Sequence, residues 1–153
     1  MADTLFPVID VPELIDDDGL YDYRYHPSYR WDIASGDFVR DGACKIEPCD
    51  GEEGYKVWCI KVVQTERYRC MAYPDEIGSE MESAMRHVDQ EAVKSAVERT
   101  ITETLLTNPR TEYVREFEYE QTGDGLKVTF VVKGVNIDEF QISALLEGGE
   151  DED

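Results

Sequence analysis

The sequence predicts one small α+β domain with an antiparallel or mixed sheet and two or three helices. Its 153 residues, 41% of them apolar, are enough to bury a single core. An amphipathic stripe with helical spacing runs through residues 90–107. Two alternating apolar segments joined by a glycine-containing turn follow at 111–120 and 126–133, which is typical of a β-hairpin.

A first hairpin is predicted over residues 28–47. Apolar and polar side chains alternate toward a turn at 35–37, and the apolar positions are Tyr29, Trp31 and Ile33. A second turn is expected at Asp41-Gly42, and a loop at 48–54. Residues 55–64 fit either a strand or a helix that presents Trp58, Cys59, Val62 and Val63, and residues 65–78 predict a loop.

Two helices are predicted next. Ser79 and Glu82 have the spacing of a capping box, which indicates a short helix that begins after Ser79 and reaches about Met85. Asp89 is the expected N-cap of a helix over 90–107, ended by Pro109. The buried stripe of that helix should be Val93, Val97, Ile101 and Leu105.

The second hairpin has one clearly apolar face, predicted from Leu126, Val128, Phe130 and Val132. In its first strand, one face is expected to carry Tyr113, Arg115, Phe117 and Tyr119. Lys127 and Lys133 are placed to oppose glutamates across the strands, an arrangement that favours pairing.

Acidic residues concentrate at the two ends. The chain has 35 acids and 15 bases, a net charge of −20, yet residues 23–133 hold 21 acids and all 15 bases, a net of only −6. We therefore predict an acidic extended arm at 1–22, the domain at 23–133 and an acidic, solvated C-terminal tail at 134–153. This balance argues against nucleic-acid or anionic-membrane partners, which require clustered Lys and Arg.

The sequence contains no residue pattern that predicts an enzyme active site, a metal site or a cofactor site. Neither His26 nor His87 lies in a catalytic or metal-binding motif, and the glycines lack a phosphate-binding spacing. Cys44, Cys49, Cys59 and Cys70 lack zinc-type spacing, so free thiols in a reducing compartment are expected, with a Cys44–Cys49 disulfide as the alternative.

An arginine–aromatic cluster within 65–78 is the main candidate site. Arg67 and Arg69 lie among Tyr68, Met71 and Tyr73, residue types favoured at protein interfaces. The alternative is internal: Glu66 or another acid pairs with these arginines and tightens the loop. Arg110 is a second isolated arginine, at a corner between helix and strand.

These positions resemble two motifs of the sheath-initiator, or baseplate wedge, proteins of contractile tails. The first motif matches at Glu66, Arg67, Pro74 and Gly78, although a glycine before the glutamate is missing and Ile77 replaces a phenylalanine. The second, a helix that ends in Glu-Pro-Arg, matches at Pro109 and Arg110, with Asn108 replacing the glutamate. The nearest branch is found among baseplate genes of prophages of Gram-positive bacteria.

The resemblance implies a domain like the core of the sheath subunit, located in a virion tail baseplate and assembled in the bacterial cytoplasm. It implies sheath protein, other wedge proteins and, further, tube or hub proteins as partners, joined by addition of a strand to the sheet. The expected interface residues are Glu66, Arg67, Arg69, Pro74, Gly78, Asn108, Pro109 and Arg110. Two other hypotheses remain: an acidic binding module that mimics nucleic acid or inhibits a basic partner, and a cell-wall hydrolase.

Overall fold

A computed structural model of the chain describes residues 23–123 and 125–147. The predicted arm over 1–22 lies outside the described residues. Four two-residue strands come first, β1 (Ser28–Tyr29), β2 (Trp31–Asp32), β3 (Asp37–Phe38) and β4 (Pro48–Cys49). Three helices follow, α1 (Gly51–Gln64), α2 (Met81–Met85) and α3 (Gln90–Leu106). The long strands β5 (Thr111–Thr122), β6 (Gly125–Gly134) and β7 (Phe140–Glu147) end the described chain.

The principal sheet has three antiparallel strands in the order β5-β6-β7. The predicted apolar face of β6 is confirmed, because Val128, Phe130 and Val132 are fully buried. Side chains of α1 and α3, including Cys59, Val63 and Ile101, complete the same core. The fold is therefore a mixed α+β domain, as predicted.

Helix α3 confirms the predicted stripe. Val97, Ile101 and Leu105 have no exposed surface, and burial of such side chains contributes about 1.5–3 kcal/mol each. Asp89 is the N-cap residue, although its side chain makes no capping hydrogen bond. Thr100 and Thr104 are also buried on this helix; the Thr100 hydroxyl accepts from the Glu80 amide and the Thr104 hydroxyl donates to the Gly78 carbonyl oxygen, each at 2.8 Å.

Helix α1 settles the alternatives left open for residues 55–64. Asp50 caps it, since its carboxylate accepts a hydrogen bond from the Glu53 amide at 2.8 Å. The loop predicted over 48–54 is wrong, because β4 and the first turn of α1 occupy it. A Cβ on Gly51 would lie 2.1 Å from the Tyr25 carbonyl oxygen, so only glycine lets the preceding chain approach this closely.

The first hairpin is confirmed by the pairing of β2 with β3, while β1 pairs with β4. It packs on α1 through a cation–π contact, in which the Lys61 ammonium lies 3.6 Å from the centre of the Trp31 ring. The Trp31 ring in turn meets Phe38 edge-on at 4.9 Å.

Ser79 is not the N-cap of α2, which is a correction to the predicted capping box. Glu80 precedes the helix, and the fully buried Ser79 hydroxyl donates instead to the Val63 carbonyl oxygen at 2.6 Å. The hydroxyl is used to join this segment to α1, so it cannot reach the amides at the start of α2.

The solvated tail predicted from residue 134 is wrong for 134–147. Residues 140–147 form β7, whose side chains Ile142, Ala144 and Leu146 are buried against the core. Ile137, in the connection before β7, is buried as well. The domain boundary predicted at 133 therefore cuts through the sheet.

Strand β5 does not alternate as strictly as predicted. Its pairing with β6 shifts register between Arg115 and Glu118, where Glu116 adopts a φ of 58°. As a result Val114 before the bulge and Phe117 after it both pack against the core. Lys127 does oppose Glu120, whereas Lys133 lies opposite Tyr113 and donates to the Ile137 carbonyl oxygen.

Candidate assembly surface

The loop that carries Arg67 is closed at its base by main-chain hydrogen bonds. The Ser79 amide donates to the Thr65 carbonyl oxygen at 2.8 Å, and the Arg67 amide donates to the Ser79 carbonyl oxygen at 2.9 Å. Gly78 completes the base with a φ of +106°, and a Cβ there would lie 2.7 Å from the Thr65 carbonyl oxygen. A side chain at Gly78 would therefore be strained and would collide with the main chain.

The Arg67 guanidinium is used inside the chain, with only 14% of its side chain exposed. Its Nε and Nη2 donate to the Gly78 carbonyl oxygen at 3.1 and 3.0 Å, and its Nη1 pairs with Glu80 at 3.2 Å. The Thr104 hydroxyl donates to the same carbonyl at 2.8 Å, which ties the loop to α3. The internal alternative is therefore observed for Arg67, with Glu80 as its acid; Glu66 instead accepts from the Glu82 amide.

Residues 68–76, hereafter the loop tip, project from this base. Every residue of the loop tip is exposed, and Met71 is exposed at 103% relative to a free residue. Tyr68 and Tyr73 are more than half exposed. Arg69 and Pro74 share this surface, and Arg69 makes no ion pair or hydrogen bond with the described residues. The base is thus rigidly held, while the tip presents aromatic, thioether and cationic groups outward.

The loop at 65–78 is the first candidate corner, and the second, Asn108 to Arg110, is a tight turn between α3 and β5. The Asn108 side-chain oxygen accepts from the Arg110 amide at 3.0 Å, and its main-chain oxygen accepts from the Thr111 amide at 2.9 Å. The asparagine forms this turn without the negative charge of a glutamate. Pro109 is exposed at the point of the turn.

Arg110 is half-buried and links three parts of the chain. Its Nε donates to the Arg24 carbonyl oxygen at 3.1 Å, and its own carbonyl accepts from the Val135 amide at 2.8 Å. The Tyr25 hydroxyl donates to the Val135 carbonyl oxygen at 2.7 Å. Burial raises the pKa of Tyr25, so this hydroxyl stays protonated as the donor.

Both long borders of the sheet are free of strand partners among the described residues. β6 lies in the middle, so β5 and β7 each have one unpaired side. The helices cover one face of the sheet, and the opposite face presents exposed side chains such as Gln141, Ser143 and Leu145. Unpaired main-chain groups on a border can accept another strand.

Within 23–123 and 125–147, no three His, Cys, Asp or Glu side chains come together as a metal site. The four cysteines are free thiols, with Cys49 and Cys59 buried. In those residues, no helix combines the length and apolar character required to cross a bilayer.

Residues 27–138 match the family model of the contractile injection system sheath initiators. This match covers well over half of the chain and includes both candidate corners. The chain belongs to this family. It is also 32% identical over 95 residues to the phage-like element PBSX protein XkdS of Bacillus subtilis strain 168. The aligned residues cover 61% of this chain and 67% of that relative.

Membership gives this sheath initiator a structural role in a phage-type tail, at the baseplate, in contact with sheath and baseplate components. The family is a structural one, not an enzyme class. The matched region ends at 138, just before β7, so the β7 border is a feature that the motifs did not reveal. The alternation of Phe140, Ile142, Ala144 and Leu146 with Gln141 and Ser143 was the signal that could have found it.

Proposed function

We propose that this sheath initiator starts sheath assembly by accepting an extended strand of sheath protein at an open border of its three-stranded sheet. The observation that carries the proposal is the order β5-β6-β7, with helices on one face and, among the described residues, an unpaired side on each outer strand. Strand addition combines main-chain hydrogen bonds, which provide affinity, with alternating side-chain contacts, which set the register.

The two corners join the initiator to other wedge proteins. Within the first corner, Arg67, Glu66 and Gly78 position the loop, and Arg69 and Pro74 in the loop tip make the contact. Arginine and tyrosine are suited to this because they combine a large contact area with hydrogen bonding. At the second corner, Asn108 sets the turn, so that Pro109 and the guanidinium of Arg110 face the partner.

Assembly takes place in the bacterial cytoplasm, and tube or hub proteins are further partners of the completed baseplate. The acidic-module hypothesis predicts instead a basic partner whose binding weakens steeply with salt. A titration of sheath and wedge binding against salt distinguishes the two, since main-chain pairing depends only weakly on ionic strength.

Nucleation of the sheath tests the role directly. Purified initiator, immobilised on beads, should shorten the lag before the cognate sheath protein polymerises and should remain at one end of the polymers. If the lag is unchanged, and isolated tail particles lack the chain, the proposed function is wrong.

The corner contact is tested with a pair of exposed arginines. Arg69→Ala should weaken binding to purified wedge protein by about tenfold or more, as for interface hot spots. Arg99→Ala is the matched control, because Arg99 is an exposed arginine of α3 outside the loop tip and pairs with Glu103. Equal losses in both variants, or none in either, would remove the loop tip from the interface.

A further inference from the structure

The two borders of the sheet differ in charge and in regularity, two features that normally prevent strand addition. Natural edge strands are protected by charged residues, prolines, bulges and strong local twist. Strand β5 carries five charged residues, Glu112, Arg115, Glu116, Glu118 and Glu120, and two register shifts. At the second shift Glu116 adopts a left-handed conformation. A continuous partner strand cannot follow this border without matching its bulges.

Strand β7 has none of these protections between Phe140 and Leu146. The sequence FQISALL contains no charge, no proline and no glycine, in a chain with a net charge of −20. Eight consecutive residues of β7 pair with β6 without a register shift. Seven uncharged residues on a regular border are the opposite of what edge protection requires.

The outward main-chain groups of β7 are also free within the described structure. Every hydrogen bond of this strand's backbone among the described residues runs to β6. An eight-residue strand directs about four N–H and four C=O groups away from its neighbour, enough for a full ladder with another strand.

The side chains of β7 indicate what kind of strand fits beside it. Its core-side row is apolar and buried, namely Ile142, Ala144 and Leu146. Its open row contains Ser143, whose hydroxyl lies 3.1 Å from that of Thr129 on β6. An added strand continues both rows if apolar residues alternate with small polar ones, and a charged residue on its core side would be costly.

We propose that β7, and not β5, is the border that receives the sheath strand, and that the occupant is an uncharged extended segment of the sheath protein with alternating apolar and small polar residues. This inference rests on the proposed function and adds to it the identity of the border. The uncharged, alternating border of β7 between Phe140 and Leu146 is what favours an uncharged occupant over a charged one.

Amide hydrogen exchange of the full chain, followed by NMR with and without the cognate sheath protein, tests the choice of border. On binding, about every second amide of residues 140–147 should exchange at least tenfold more slowly, while β5 amides stay unchanged. Binding accompanied by protection of β5 overturns the choice of β7 and leaves the proposed function standing, whereas binding that protects neither strand overturns both. Absence of binding overturns both. Slow exchange of all β7 amides in the free protein also overturns the inference, because its own chain or a second copy then covers the border.

A matched pair of charged variants provides a second test of which border binds the sheath strand. Ser143→Glu with Leu145→Glu places two charges on the exposed row of β7 and should weaken sheath binding by about fivefold or more. Gln121→Glu with Thr122→Glu adds the same charge to exposed positions of β5 and should leave binding unchanged. Circular dichroism confirms that each variant is folded, and a larger loss for the β5 pair contradicts the assignment.

Discussion

Strands β5 and β7 are the two borders of one sheet, yet they are built very differently. β5 is long, charged and bulged, and Tyr119 near its end is fixed by a hydrogen bond from its hydroxyl to the Lys94 carbonyl oxygen of α3. β7 is shorter, regular and uncharged up to Leu146. The difference shows that an unprotected border is not a general property of this sheet, because the other border carries charges and bulges.

The first prediction compares a buried side chain of β7 with an exposed side chain on the opposite face of the same strand. Ile142 is 3% exposed and packs in the core, so Ile142→Ala should lower the free energy of unfolding by about 2–4 kcal/mol. Chemical denaturation of the purified protein measures this.

Leu145→Ala is the control on the same strand. Leu145 is 46% exposed on the opposite row, so its truncation should change the stability by less than about 1 kcal/mol. Similar losses for the two variants would mean that β7 does not lie on the sheet as described.

The second prediction concerns the bulge that protects β5. Glu116 has a φ of 58°, which a β-branched residue adopts only with strain, so Glu116→Val should destabilise the protein by about 1–3 kcal/mol. Glu116→Gly removes the same charge but tolerates this φ, and its unfolding midpoint should stay near that of the wild type. If valine were accepted without loss, β5 would be as regular a border as β7.

The elements predicted correctly from the sequence have strong, one-sided periodicity. Val97, Ile101 and Leu105 define α3, and Val128, Phe130 and Val132 define the core face of β6, because each element contacts the core on one side only. The apolar residues of α1 show no clear helical spacing, because the helix packs on the core with one side and on the first hairpin with another, for example through Lys61. The spacing of Asp50 and Glu53 was the local signal for its beginning.

Strand β7 was not predicted, because the acidic residues around it indicated a solvated tail more strongly than its alternating apolar residues indicated a strand. Acidic residues from Asp138 onward give the segment the composition of a solvated tail, although Ile142, Ala144 and Leu146 already show a period of two. Arg67 was placed correctly in a structured loop, but its partner Glu80 follows thirteen residues later and becomes its neighbour only when Gly78 turns the chain. Which borders of the sheet stay open depends on strand order, and a single sequence does not encode strand order locally.

The third and smallest prediction concerns a contact that joins β5 to the residue before β7. The Tyr113 hydroxyl hydrogen bond, together with the charge of Arg115 at 2.6 Å, lowers the pKa of Glu139. Because the folded-state pKa is depressed, the contact stabilises the fold above the unfolded-state pKa and is lost as pH falls through the folded-state value.

Glu139→Gln should therefore flatten the fall in Tm between neutral pH and about pH 3, with a modest effect because the group is exposed. Asp138→Asn is the control, since Asp138 is exposed and forms no ion pair with the described residues. A larger flattening in Asp138→Asn would mean that the Glu139 contact does not join the two strands.

The central claim is tested most directly by an electron cryomicroscopy map of the initiator bound to the first ring of sheath protein. The account predicts one extended sheath segment hydrogen-bonded along residues 140–147, with the loop tip turned toward a wedge protein. A map in which the sheath contacts only the helices, and both β5 and β7 remain unpaired, would contradict assembly by strand addition.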